Sequence, residues 1–232
     1  MRFDIITIFP KIFDSYFSES IIKRAIVKKK IQIKIWNLRD FTRDKHKKVD
    51  DKPYGGGAGM VLMAEPILRA VWLLGHTMSK LGKVKVIVLS AKGEQFTQKM
   101  AYSWSKKYKN IILISGRYEG IDERVSKILR AEEISIGPYV TTDGDVAAMV
   151  VVSAVSRLIP GVIKLESLEE ESFFSNLIKK GERRGLEYPH YTRPEILKYK
   201  GRLHRVPKVL LSGNHKKIED WRRKHKKKAP LD

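Results

Sequence analysis

Apolar residues recur through the first two thirds of the chain in short runs, with helical spacing in the intervals between them. Phe3–Ile8, Val84–Ser90 and Ile111–Ser115 are nearly continuous apolar runs, Ile31–Trp36 alternates, and Ile134–Ile136 is short, so each predicts a strand. The intervals predict helices: Ser20 as a cap for a helix running to about Lys29, Ala64–Lys80, Glu94–Lys107 and Asp122–Arg130, with a long apolar helix over Ala147–Leu158. Continuous apolar strands separated by helices predict an α/β domain, a parallel sheet covered by helices on both faces.

The pattern breaks after Pro160-Gly161. Leu165–Glu171 is acidic, Lys179–Arg184 is basic, and neither carries a hydrophobic period, so 164–184 reads as an interdomain linker. The expected layout is a sheet domain over 1–163, this linker, and a small helical domain over 185–232 that ends in a basic helix at about His215–Lys228.

Composition narrows what such a protein does. Lys and Arg number 47 against 26 Asp and Glu, a formal charge of +21, which fits a polyanionic partner. The basic residues gather between Lys23 and Lys48 and from Lys198 to the end, with Trp36, Tyr54, Tyr188, Tyr191 and Trp221 near them as groups able to stack on bases. The chain has no cysteine, which excludes disulfides, thiol nucleophiles and iron–sulfur clusters. Pro10 and Lys11 interrupt the apolar start, and Val146–Val155 falls short of a membrane span, so the expectation is a soluble cytoplasmic protein.

Glycine is concentrated in PYGGGAGM, Pro53–Met60. A phosphate loop needs Lys-Ser or Lys-Thr after the glycines, but Met60, Val61 and Leu62 follow here. A dinucleotide fingerprint follows a strand, and the residues before this stretch are charged. Residues alone leave a plain loop open. Three further loops, SAKGE, SGRYEGID and SIGPYVTTDGD, follow predicted strands at the end where open α/β sheets bind ligands. They read as a cofactor site or as three ordinary turns.

Taken together and in this order, PYGGGAGM, GRYEGIDERV, ISIGPYV, SRLIPGV, YPHYTRPE and VPKVLLSGNH resemble the bacterial tRNA (guanine-N1)-methyltransferases, over nearly the whole chain. The resemblance implies a deep trefoil knot in the sheet domain, a homodimer with a composite active site, S-adenosylmethionine as methyl donor, and the guanine 3′ of the anticodon, guanine 37, as target. It implies that Ser90, Gly116, Tyr118, Ile136, Gly137, Pro138, Tyr139, Val140 and Thr141 hold the donor, and that Glu119 places a magnesium ion. It places Asp51, Tyr54, Gly56 and Gly57 on the substrate side, beside the target guanine, and His190, Arg193, Ser212, Asn214 and His215 against the tRNA anticodon stem and loop.

Guanine N1 must lose a proton, and charge develops on O6, so the reaction calls for a carboxylate base and a cation. The resemblance assigns the cation to Arg157 and the base to Glu171, where the family usually has aspartate; Glu170 and Glu187 are the alternatives. Asp143 and Ala147 stand where the family commonly has glycine and proline. A non-catalytic RNA-binding protein on the same scaffold and a knotted ribosomal-RNA methyltransferase are the competing readings.

Neutralised phosphates release counterions, so tRNA affinity should fall steeply between low and physiological salt. A filter-binding titration that stays flat across that range would contradict a phosphate-dominated interface.

Overall fold

The computed structural model describes residues 1–78, 83–164, 167–168 and 187–226. Two compact units divide the chain, 1–164 and 165–232. In the first, β1 (Arg2–Thr7), α1 (Asp14–Phe17), α2 (Ser20–Val27) and β2 (Gln32–Asn37) are followed by the two-residue strands β3 (Asp50–Asp51) and β4 (Val61–Leu62). Then come α3 (Ala64–Met78), β5 (Val84–Gln95), α4 (Gln98–Lys107), β6 (Asn110–Ser115), α5 (Arg124–Leu129), β7 (Glu132–Ser135) and α6 (Gly144–Ser156).

Five strands form one parallel sheet in the order β2-β1-β6-β5-β7. β6 is buried at every position, as its unbroken apolar run requires of a central strand covered on both faces. Ile6, Val88, Ile112 and Ile114 join Ile67, Ala70, Val71 and Leu74 of α3 and Val125 of α5 in one core. The alternate positions Phe3, Ile5, Ile87, Ile111 and Leu113 are also buried and belong to the opposite face, where α6 packs on β1, β5 and β6 and is flanked by α2 and α4. Each such side chain contributes about 1.5–3 kcal/mol of transfer free energy. Asp4 is fully buried and charge-paired: Arg2 donates to it through Nε and Nη2 at 2.7 Å each, and Trp36 Nε1 donates at 2.7 Å. Trp36 is thereby a structural residue.

The α/β expectation and the parallel sheet hold, with boundaries that shift for identifiable reasons. The expected helix over Glu94–Lys107 begins later, because Glu94 and Gln95 continue β5 by pairing with Ile134 and Ser135 of β7, and Thr97 then caps α4 through its hydroxyl. α6 starts before Ala147 because Asp143 caps it. α2 is entered from Glu19 rather than from a Ser20 cap, since Ser20 itself has φ 53°. Lys80 and the linker residues 169–184 lie outside the described residues.

The second unit is less purely helical than expected. It carries an antiparallel hairpin, β8 (Ile196–Tyr199) with β9 (Arg202–Arg205), before α7 (Lys208–Leu211) and α8 (His215–His225). Lys200 and Gly201, both at positive φ, make the two-residue turn that a tight hairpin needs. Lys227 and Lys228 lie outside the described residues. No helix among the described residues is long and apolar enough to cross a membrane.

One close approach fixes how α6 meets the sheet. Gly144 donates its N–H to the Gly116 carbonyl at 2.8 Å, and a Cβ on Gly144 would lie 2.7 Å from the Gly116 nitrogen. Gly144→Ala should therefore cost about 1–3 kcal/mol by overpacking against backbone. Gly75→Ala, in α3 with nothing within 4 Å of the new Cβ, should stabilise by roughly 0.5–1 kcal/mol. Urea midpoints measured side by side check this, and equal shifts in the same direction would sink it.

Candidate functional site

Where β6 and β7 end and the regular pairing of β5 breaks off at Leu89, a cavity of about 400 Å³ forms, within the size range of small-molecule sites; the expected SAKGE loop is an irregular part of β5. Segment 88–92 forms one wall, 116–121 the second, and 133–136 with 139–143 the third, while Gly144 and Ala147 of α6 close the base. The predicted donor residues Ser90, Gly116, Tyr118, Ile136, Tyr139, Val140 and Thr141 line it together with Glu119; Gly137 and Pro138 do not. Gly137 shapes the turn instead, donating its N–H to Ser135 Oγ at 3.3 Å while its carbonyl accepts from the same hydroxyl at 2.8 Å. Thr141 Oγ1 donates to the Asp143 carbonyl at 2.7 Å, so the loop is held largely by its own hydrogen bonds.

Four charged side chains of the wall, Lys92, Arg117, Glu133 and Asp143, are held in ion pairs. Lys92 reaches Glu123 at 2.7 Å and Glu133 at 3.5 Å, and the hydrogen bond to Glu123 raises the Lys92 pKa. Arg117 Nη1 donates to Asp143 Oδ2 at 3.2 Å, with its guanidinium 4.4 Å from the Phe9 ring centroid. Behind them Asp145 is buried, and that desolvation, the largest cause, pushes its carboxyl pKa up despite hydrogen bonds from Ser115 and Thr7. Lys92, Arg117 and Glu133 were not marked by the sequence; their only signal is position in the SAKGE and GRYEG loops and at the edge of β7.

PYGGGAGM turns out to be the loop of a small hairpin framed by β3 and β4. It docks on GRYEGID through backbone: Glu119 N–H donates to the Met60 carbonyl, Leu62 N–H to Gly120 and Asp122 N–H to Leu62, each at 3.0 Å. Gly56 has nothing within 4 Å of a would-be Cβ and Gly57 only Pro53, whereas a Cβ on Gly59 would strike the Glu119 side chain. Gly59, which sequence reading passed over, is thus the contact glycine. Tyr54 is 100% exposed, and Asp51 is held by Lys48 at 2.9 Å, a hydrogen bond that lowers its pKa.

Arg157 does not sit at this cavity. It is the half-buried C-cap of α6, whose N-cap, Asp143, is in the cavity wall. A helix of 13 residues separates the two by roughly 20 Å at 1.5 Å per residue. Glu171 and Glu170 lie outside the described residues. Glu187 is described and approaches His190 at 3.6 Å.

In the second unit the expected RNA contacts do two kinds of work. Ser212 and Asn214 are helix-terminal: Ser212 Oγ donates to the Val209 carbonyl at 2.7 Å, and Asn214 Oδ1 accepts from Lys217 N at 3.1 Å as the N-cap of α8. Trp221 stacks on His225 with centroids 4.1 Å apart and meets Tyr191 edge-on, while Arg222 covers Tyr188 at 4.8 Å. These rings pin α8 to the segment before the hairpin. Arg193 is exposed, and α8 begins at His215 and presents Lys216, Lys217, Arg222, Arg223 and Lys224.

Comparison with known proteins converges on one description. Residues 1–230 match the family model described as tRNA (Guanine-1)-methyltransferase TrmD. A tRNA (guanine-N(1)-)-methyltransferase of Clostridioides difficile is 51% identical over 96% of this chain and 91% of its own length. Its namesake in Thermomicrobium roseum is 53% identical over 96% and 78%, and that of Dehalococcoides mccartyi strain 195 is 47% identical over 100% and 88%.

Gly59 and Gly56 share φ 79°, so alanine at either should cost about 1 kcal/mol of backbone strain. Only Gly59→Ala also displaces Glu119, and it should lower turnover at least tenfold more than Gly56→Ala. Equal turnover of the two variants would show that the hairpin loop does not position Glu119.

Proposed function

This chain belongs to the tRNA (guanine-1)-methyltransferase family, and we propose that it transfers a methyl group from S-adenosylmethionine to N1 of guanine 37, beside the tRNA anticodon, in the cytoplasm. The observation that carries the reading is the cavity at the strand ends, two of whose walls are formed by residues of GRYEGIDERV and ISIGPYV, motifs on which the family resemblance rests. Its size and its exposed loop backbone fit the donor. The bound donor supplies an electrophilic methyl on a sulfonium, which leaves as a neutral thioether when the N1–carbon bond forms.

The chain's residues supply the rest. Glu171 takes the N1 proton, with Glu170 or Glu187 as the alternative base, and Arg157 stabilises the charge that develops on O6. His190 and Arg193, with the basic face of α8, seat the anticodon stem, and Tyr54 stands ready to stack on a base. A deep trefoil knot belongs to the same reading. Magnesium fits less well as a resident ion: no group of three His, Asp or Glu able to hold a metal occurs among the described residues, and Glu119 alone is one ligand of six or more. No step needs it.

Because α6 holds the cavity at one end and Arg157 at the other, one chain does not bring both to a single guanine. We therefore propose that the active site is shared across a homodimer, Arg157 of one copy completing the cavity of the other. An apolar face supports this: Val146 and Val150, one turn apart on α6, are exposed, as are Phe9 and Ile12, at the cap and within the adjacent 3-10 turn (Pro10–Phe13), Tyr16 on α1 and Ile21 on α2.

Methyl incorporation into an unmodified tRNA transcript, mapped to the modified nucleotide, tests the reaction. N1-methylguanine at position 37 is expected, with none on a transcript carrying adenine there; methylation elsewhere or of ribosomal RNA overturns the assignment. Sharing is tested by mixing two defective chains, Arg157→Ala and Gly116→Val, the second blocking the cavity. Each alone should lose at least about a thousandfold in rate, and co-expression should restore a substantial fraction. No recovery would place Arg157 and cavity in one chain.

A further inference from the structure

In a chain of net charge +21, the cavity is acidic. Its lining holds the cations Lys92 and Arg117 against the carboxylates Glu119, Glu133 and Asp143, a surplus of one negative charge. Both cations are spoken for, Lys92 by Glu123 and Glu133, Arg117 by Asp143.

Asp143 does more than pair. Oδ1 accepts from the backbone of Asp145 at 3.0 Å and Val146 at 3.3 Å, and Oδ2 accepts from Arg117 and, at 3.1 Å, from Thr142 Oγ1. With its side chain only 6% exposed, it holds the guanidinium in a fixed place in the wall. It also stands where the resemblance places a glycine in most of the family.

A methyl donor of the sulfonium type carries one more positive charge than the thioether it becomes. An unmatched Arg117 in the wall would repel the donor and leave the product unaffected. We propose that the Arg117–Asp143 pair sets the charge of the cavity so that it selects cationic S-adenosylmethionine over neutral S-adenosylhomocysteine, favouring product release after transfer. The inference rests on the donor assigned under the proposed function. Asp143 acts through the guanidinium it neutralises, as a specificity-determining residue rather than a catalytic one.

Calorimetry on the full-length chain gives the ratio of the two dissociation constants. Asp143→Asn keeps an oxygen for the helix cap and removes the charge; the preference for S-adenosylmethionine should fall about three- to thirtyfold, the range for a unit charge several ångströms away in a partly hydrated site. Arg117→Gln, which leaves the cap intact, should shift the ratio the other way, and the double variant should return it toward wild type. Equal weakening of both ligands in Asp143→Asn, or a ratio that does not move in Arg117→Gln, overturns the proposal and leaves the donor assignment standing. A wild-type chain that binds neither ligand overturns the donor assignment and this inference with it.

Discussion

Gly144 and Gly116 meet backbone to backbone, and the geometry of the cavity follows from that meeting. The 2.8 Å hydrogen bond between them seats the first residue of α6 on the end of β6 with no room for a side chain. Seated there, the helix carries its N-cap Asp143 into the wall and turns Ala147 to the base. The sheet brings three strand ends to one edge, as parallel α/β architecture dictates; the helix contact closes the space between them. Since α6 also buries Ala148, Val151, Val152 and Val155 against the sheet, the position of the wall is held by the same packing that stabilises the unit.

How much of this the amino-acid sequence discloses depends on the range of the interaction. The parallel sheet was legible because β6 and the first half of β5 are unbroken apolar runs, and such runs between helices have few other solutions. The second half of β5 was not, since Glu94 and Gln95 look like the polar start of a helix and become strand only by pairing with β7. The cavity loops were legible as motifs, yet their pairing was not: Arg117 and Asp143 are distant in sequence, and no periodicity links them. Gly56 and Gly59 look alike in PYGGGAGM, and what separates them is Glu119, a neighbour from another loop. In the second unit, the basic helix from about His215 was readable, whereas the hairpin of Ile196–Arg205 was hidden by its mixture of basic and apolar residues.

The two units divide the electrostatic work. Surplus positive charge on α8 is exposed, where salt screens it and where it steers a polyanion without specifying a base. Charges in the cavity wall are few, and the Arg117–Asp143 pair among them is largely buried, where screening is weaker and each charge counts. The Lys92 pairs, with both partners substantially exposed at Glu123, add little to folding stability. Their effect is on geometry, since they tie the second half of β5 to the N-cap of α5 and to β7.

Helix α6 also behaves as a ruler. With the cavity at its N-cap and Arg157 at its C-cap, the span between them is a count of residues. One inserted residue would advance the arginine by about 1.5 Å and swing it about 100° around the axis. Substitutions along the helix are therefore far more permissible than insertions or deletions. Apolar exchanges beyond the Gly144 contact keep this span, whereas any change of length alters it.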